Sequence, residues 1–128
     1  MKNERYTTRM IGWMTVGQRL VKHGLKVRAD QTNGKTCWVV RGKKKTTTVQ
    51  VKSVTGISAL PAARLYGDFI VGCVCEGKKV SAYVMTREEA EKARKGSTTG
   101  EWIGFRRNPC NWMRKEWAER WDRIKAAS

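Results

Sequence analysis

Residues 46–54 read TTTVQVKSV, a run so rich in β-branched side chains that it favours an extended strand over a helix. Such a strand needs partners for its backbone and cover for at least one side, so the chain has to build a sheet. A first partner stands directly upstream. The segment CWVVR (37–41) is a second short strand, and GKKK between the two makes residues 37–54 a β-hairpin with Arg41, Lys43, Lys44 and Lys45 at its tip.

The rest of the chain supplies the remaining layers. Met10, Trp13, Met14, Gly17, Leu20 and Val21 recur at helical spacing, which predicts an amphipathic helix ending near His23 and Gly24. Leu25, Val27 and Ala29 alternate with Lys26 and Arg28, the pattern of a strand with one buried side, and DQTNGKT after it reads as a turn-rich loop. TGISALPAARLYGD has the punctuation of a connection. DFIVGCV and KKVSAYVM around EGKK form a second hairpin, and Thr86 with Glu89 has the spacing of a capping box opening a helix in TREEAEKARK. KGSTTG reads as a flexible loop, EWIGF as a short edge strand, and Asn111 as the cap of a last helix with Met113, Trp117, Trp121 and Ile124 along one side. The fold class is therefore α/β (α+β): a mixed sheet flanked by helices in a single domain over residues 1–128, a length that supports one core.

Charge narrows the partners. Lys and Arg number 27 against 11 acidic residues, a formal net charge of +16 that draws polyanions to the surface. Nucleic acid is the leading partner class, with Arg41, Lys43, Lys44, Lys45 and a second patch at Arg106 and Arg107 as the candidate contacts. No apolar run approaches the roughly 20 residues that cross a bilayer, so no membrane partner is expected and the location is read as intracellular, cytoplasmic or nucleoid-associated. Cys37, Cys73, Cys75 and Cys110 fit no zinc spacing, even with His23 added, and are read as reduced thiols.

Within the long strand, Gln50 and Lys52 project to the same side, opposite Val49 and Val51. They are either polar residues in solvent or parts of a phosphodiester site. A lysine there can stabilise charge on a phosphate, and a side-chain oxygen two residues earlier can hold a metal or a water.

The order GWMTVGQRLVKHGLKV, a turn-rich loop, CWVVRGKKKTTTVQVKS and then the DFIVGCV hairpin resembles the PD-(D/E)XK nuclease superfamily. It is particularly similar to the intron-encoded and resolvase-like branch in which the last acidic position is glutamine. The resemblance covers roughly residues 10 to 90. It implies a restriction-endonuclease-like fold, double-stranded DNA as partner, Gln50 and Lys52 as catalytic residues, and Mg²⁺ as cofactor if the chain is active. It also places Trp13 and Cys37 where the family carries acidic metal ligands, which makes the site degenerate or atypical; the metal set is left unassigned. Glu4 and Asp30 are the carboxylates that could substitute from displaced positions, and Asp68 is a further free one. Three functions stay open: a DNA-binding protein with a degenerate site, an active Mg²⁺-dependent endonuclease, and a phage or mobile-element interaction protein that blocks an acidic partner or its DNA site. A homodimer also stays open.

Overall fold

The computed structural model describes residues 4–32, 35–56, 60–61, 64–97, 100–103 and 112–128. Helix α1 spans Glu4–Lys22 and buries Val16 and Leu20. It stops at Gly24, whose φ of 81° suits glycine. Gly24 N–H donates to Val21 O and Leu25 N–H to Leu20 O, closing the carbonyl end of the helix in a Schellman arrangement.

Strands β1 (Lys26–Thr32), β2 (Lys35–Arg41) and β3 (Thr46–Thr55) form an antiparallel meander. After the two-residue strand β4 (Leu60–Pro61), β5 (Phe69–Glu76) returns parallel to β3, and β6 (Lys79–Thr86) folds back against β5. The five-stranded sheet has the order β1-β2-β3-β5-β6. Helix α2 (Arg87–Ala93) begins in the expected capping box: Thr86 Oγ1 accepts from Glu89 N–H while Glu89 Oε1 accepts from Thr86 N–H. Strands β7 (Arg94–Ser97) and β8 (Gly100–Ile103) join β4 in a second sheet ordered β4-β8-β7, and helix α3 spans Trp121–Ala127. The fold is α+β around a mixed sheet, and among the described residues no helix is long and apolar enough to cross a membrane.

Both sides of the large sheet are covered over β3, β5 and β6. On one side Val40, Val49, Phe69, Val71, Cys73 and Val84 pack with α1 and with Trp121 and Ile124. On the other, Val54, Ile70, Val74 and Met85 pack with Leu60, Ile103, Trp112 and Trp117. Gly72 lies under Trp112, whose ring would stand 2.5 Å from a Cβ there, so the bare backbone makes room for the indole.

Four local expectations change. Asp30–Thr32 and Lys35–Thr36 belong to strands, because the β1–β2 ladder runs on to the Thr32–Lys35 pair; Asn33 and Gly34 lie outside the described residues. Of KGSTTG, Lys95–Ser97 belong to β7 and Gly100 opens β8, while Thr98 and Thr99 lie outside the described residues. Glu101–Ile103 lie in β8, which is central in its sheet, paired on both sides by β4 and β7, while Gly104 and Phe105 lie outside the described residues. The last helix covers only Trp121–Ala127, and Asn111 lies outside the described residues. Residues 117–119 instead pair with the outer edge of β6: Val84 N–H donates to Trp117 O and Glu119 N–H to Ala82 O. Those edge groups need partners that a helix at 117–119 would withhold. Glu119 then turns the chain at φ 52°. Its carboxylate accepts from Arg19, from Ala82 N–H and from the Trp121 indole N–H, joining α1, β6 and α3.

Candidate nucleic-acid interface

Gln50 does point away from Val49, yet it does not face solvent. It is 2% exposed, because the side of the sheet expected to be open carries the second core. Its carboxamide is engaged at both ends: Nε2 donates to Arg64 O at 2.6 Å, and Oε1 accepts from Tyr66 N–H at 2.9 Å and Gly67 N–H at 3.2 Å. A Cβ on Gly67 would stand 2.8 Å from the Gln50 backbone and Cβ, so glycine permits this approach. Gln50 is thus a bracket that fastens the β4–β5 connection to β3. The β2–β3 ladder pairs Arg41 to Trp38 with Thr46 to Val49, and beyond it the Tyr66 hydroxyl serves both backbone groups of Thr36 at 2.8 and 2.9 Å.

Lys52, one step further along the same side, is half-buried opposite Gly72. Its pKa lies below the ordinary lysine value, first because burial penalises the ammonium, then because Arg9 and Arg64 add like charge. No carboxylate among the described residues pairs with it. Gln50 contributes to this cluster by holding the Arg64 backbone in place.

The candidate acids divide. Asp30 is the register partner of Cys37, on the Gln50 side of the sheet. Burial raises the Cys37 thiol pKa, Asp30 and Asp68 raise it further, and Arg28 opposes them, so these groups are neighbours. Asp68 Oδ2 accepts from Thr48 N–H and Oγ1–H, which ties the start of β5 to β3. Glu4 is the first residue of α1. Trp13 departs from its expected place: it lies on α1, across the sheet from Gln50 and Lys52, and stacks on Trp38 with ring centroids 4.3 Å apart. Among the described residues no three or more His, Cys, Asp or Glu side chains gather in a way that could hold a metal ion. Mg²⁺ does not fit beside Gln50 and Lys52, since the only side-chain oxygen of Gln50 already accepts two N–H bonds and the neighbours of Lys52 are arginines.

Where the second core ends, over β1 and β2, the Gln50 side opens into a concavity of about 520 Å³ lined by Lys26, Val27, Arg28, Val39, Arg41 and Thr46. Lys26 and Arg41 are register partners and Arg28 follows two residues on, so three exposed cations share one rim. The hairpin tip borders Arg41, with Lys43, Lys44 and Lys45 exposed. It is fastened rather than loose: Ser128 O accepts from Lys44 N–H at 2.6 Å and Lys45 N–H at 3.0 Å, while Ser128 Oγ donates to Thr47 Oγ1. Arg106 and Arg107 lie outside the described residues. Sequence reasoning saw Lys26 and Arg28 only as the polar half of an alternating strand, and it missed Arg9 and Arg64, which no local pattern connects to Lys52.

On the opposite side of β1 lies an apolar groove of about 460 Å³ between α1 and the sheet, lined by Trp13, Met14, Gly17, Gln18, Val21, Val27 and Trp38. Comparison with family models, curated proteins and solved structures gave no match for the chain.

Proposed function

We propose that this protein binds nucleic acid, with double-stranded DNA as the partner, and that it does so without cutting it. The observation that carries the reading is the concavity rimmed by Lys26, Arg28 and Arg41 beside the fastened tip of Lys43, Lys44 and Lys45. Cations on a rigid, concave surface can follow a phosphate backbone, and ordering them in advance lowers the entropy cost of doing so. Arg9 and Arg64 add like charge at Lys52, and no ion pair to Lys52 occurs among the described residues.

The PD-(D/E)XK resemblance remains the fold-family part of this proposal. A helix, a strand and then a hairpin bearing Gln50 and Lys52 on one side, in that order, support it. The engaged Gln50 carboxamide and the absence of any carboxylate partner for Lys52 among the described residues favour binding over hydrolysis. Action inside the cell belongs to the same reading.

The test is a fluorescence-anisotropy titration of a blunt 20-base-pair duplex across a salt series. Affinity should fall steeply with salt. The triple change Lys26→Ala, Arg28→Ala, Arg41→Ala should lower the slope of log affinity against log salt by about 0.9 for each lost phosphate contact. An unchanged slope would remove the concavity from the interface. No binding to bare DNA at low salt would sink the proposal and leave an acidic protein as the partner.

A further inference from the structure

The apolar groove and the basic concavity are not two separate surfaces. Val27 borders both, and β1 is the edge strand of the sheet, so the two lie on either side of a single exposed edge. One is rimmed by Lys26, Arg28 and Arg41, and the other is floored by two indoles. Trp13 and Trp38 are both half-exposed and lie 15° from parallel, and the Trp38 indole N–H is bonded to Trp13 O at 3.0 Å, which fixes its plane. Gly17 lets the helix sit this close, since a Cβ there would meet the Trp38 ring at 2.5 Å. Met10, Met14 and Val21 leave 42%, 52% and 58% of their surfaces to solvent along the same helix. A fixed indole pair with apolar flanks next to a row of cations matches a ligand with flat apolar faces and regularly spaced negative charge. A second copy of the chain is a poor occupant, because two bodies of +16 repel.

We propose that the Trp13–Trp38 groove stacks an unpaired base of a strand whose phosphates lie on Lys26, Arg28 and Arg41, so that the preferred ligand is duplex DNA continued by a single-stranded tail. This rests on the nucleic-acid reading above and specifies which form of DNA the edge of the sheet selects. Inside a duplex the bases present their faces to one another and only the two terminal pairs leave a face open, whereas every tail base can offer its own to the groove.

The experiment compares a blunt duplex with the same duplex carrying a five-nucleotide tail, reading both affinity and tryptophan emission. Trp112, Trp117 and Trp121 are buried, so quenching reports Trp13 and Trp38, and repeating it in Trp102→Phe removes Trp102 from the signal. The tailed duplex should bind about tenfold or more tighter, as one stacked base supplies, and should quench emission where the blunt duplex does not. Trp13→Leu keeps an apolar side chain without the aromatic face and should abolish the preference while blunt-duplex affinity stays unchanged. Met14→Gln with Val21→Gln, at exposed positions that fold readily, should weaken the preference if Trp13→Leu fails to fold. Equal affinity for the two DNAs with no quenching overturns this inference alone, with duplex binding intact. Quenching by an acidic amphipathic peptide and not by tailed DNA overturns it in favour of a protein occupant. Failure of every DNA to bind overturns the nucleic-acid reading beneath it.

Discussion

Replacing Gln50 with alanine separates a bracket from a catalytic residue. The wild-type carboxamide makes three hydrogen bonds, to Arg64 O, Tyr66 N–H and Gly67 N–H. A net contribution of about 1 kcal/mol each gives about 3 kcal/mol, and the buried Gly67 N–H left without an acceptor adds roughly 1 kcal/mol more. Truncation of a side chain only 2% exposed also leaves a void, so about 3–5 kcal/mol is the expected loss, a large share of the roughly 5–15 kcal/mol that holds a domain together. Chemical denaturation at constant m-value measures it, and the melting temperature should fall by on the order of 10–20 °C. Gln50→Glu sharpens the result. Its carboxylate can still accept from Tyr66 and Gly67 but cannot donate to Arg64 O, and it buries a charge, so it should destabilise as well, where a metal-ligand role would favour the acid. A Gln50→Ala protein within 1 kcal/mol of wild type would refute the bracket.

Lys52→Met should stabilise the protein at neutral pH. The folded pKa of Lys52 lies below its unfolded value, so the cost of the buried ammonium is fully present below the folded pKa and fades as pH rises towards the ordinary lysine value; denaturation at pH 7 and pH 10 should show the gain shrinking, and a gain independent of pH would contradict it. Glu119→Ala removes the acceptor shared by Arg19, Ala82 N–H and the Trp121 indole and should cost about 2–4 kcal/mol in equilibrium unfolding, with Glu119→Gln recovering part of it. Lys43→Ala, Lys44→Ala and Lys45→Ala together should lower the salt slope of DNA binding by about 2–3 with no change in melting temperature, because the tip is held through backbone groups that these changes leave in place.

What could be read from the sequence followed local signals. Helix α1 with its stop at His23 and Gly24, the two hairpins and the Thr86–Glu89 capping box depend on residues close together in the chain, and each appears where its pattern predicts, although of the α1 stripe Gly17 and Leu20 are buried while Met10, Met14 and Val21 stay exposed and Val16, off the stripe, is buried. Trp117, Trp121 and Ile124 are buried as their spacing suggested, although only the last two share a helix, since edge pairing with β6 governs residues 117–119. Gln50 was misread for a different reason. Alternation gives the side of a strand but not what covers that side, and the cover comes from Leu60, Ile103 and Trp112, distant in sequence. The gathering of Arg9 and Arg64 around Lys52 was hidden in the same way, as was the seat of Ser128 beneath the basic tip.

The position of both candidate surfaces follows from where cover runs out. Helix α1 crosses one side of the sheet, and β4, β8 and the Trp112 and Trp117 rings cover the other, but these layers meet over β3, β5 and β6. Strand β1 lies at the margin of both layers, and none of residues 26–31 is buried. A sheet edge left uncovered on both sides would invite pairing with another chain, and charged side chains on the edge strand oppose that; Lys26 and Arg28 fill this role on one side. On the other side the cover stops short at α1, leaving Trp13 and Trp38 half-exposed instead of sealed. Strands β1 and β2 therefore carry charge on one side and aromatic surface on the other without disturbing either core, and substitutions in the two grooves should alter ligand choice with far less effect on stability than substitutions at Gln50 or Glu119.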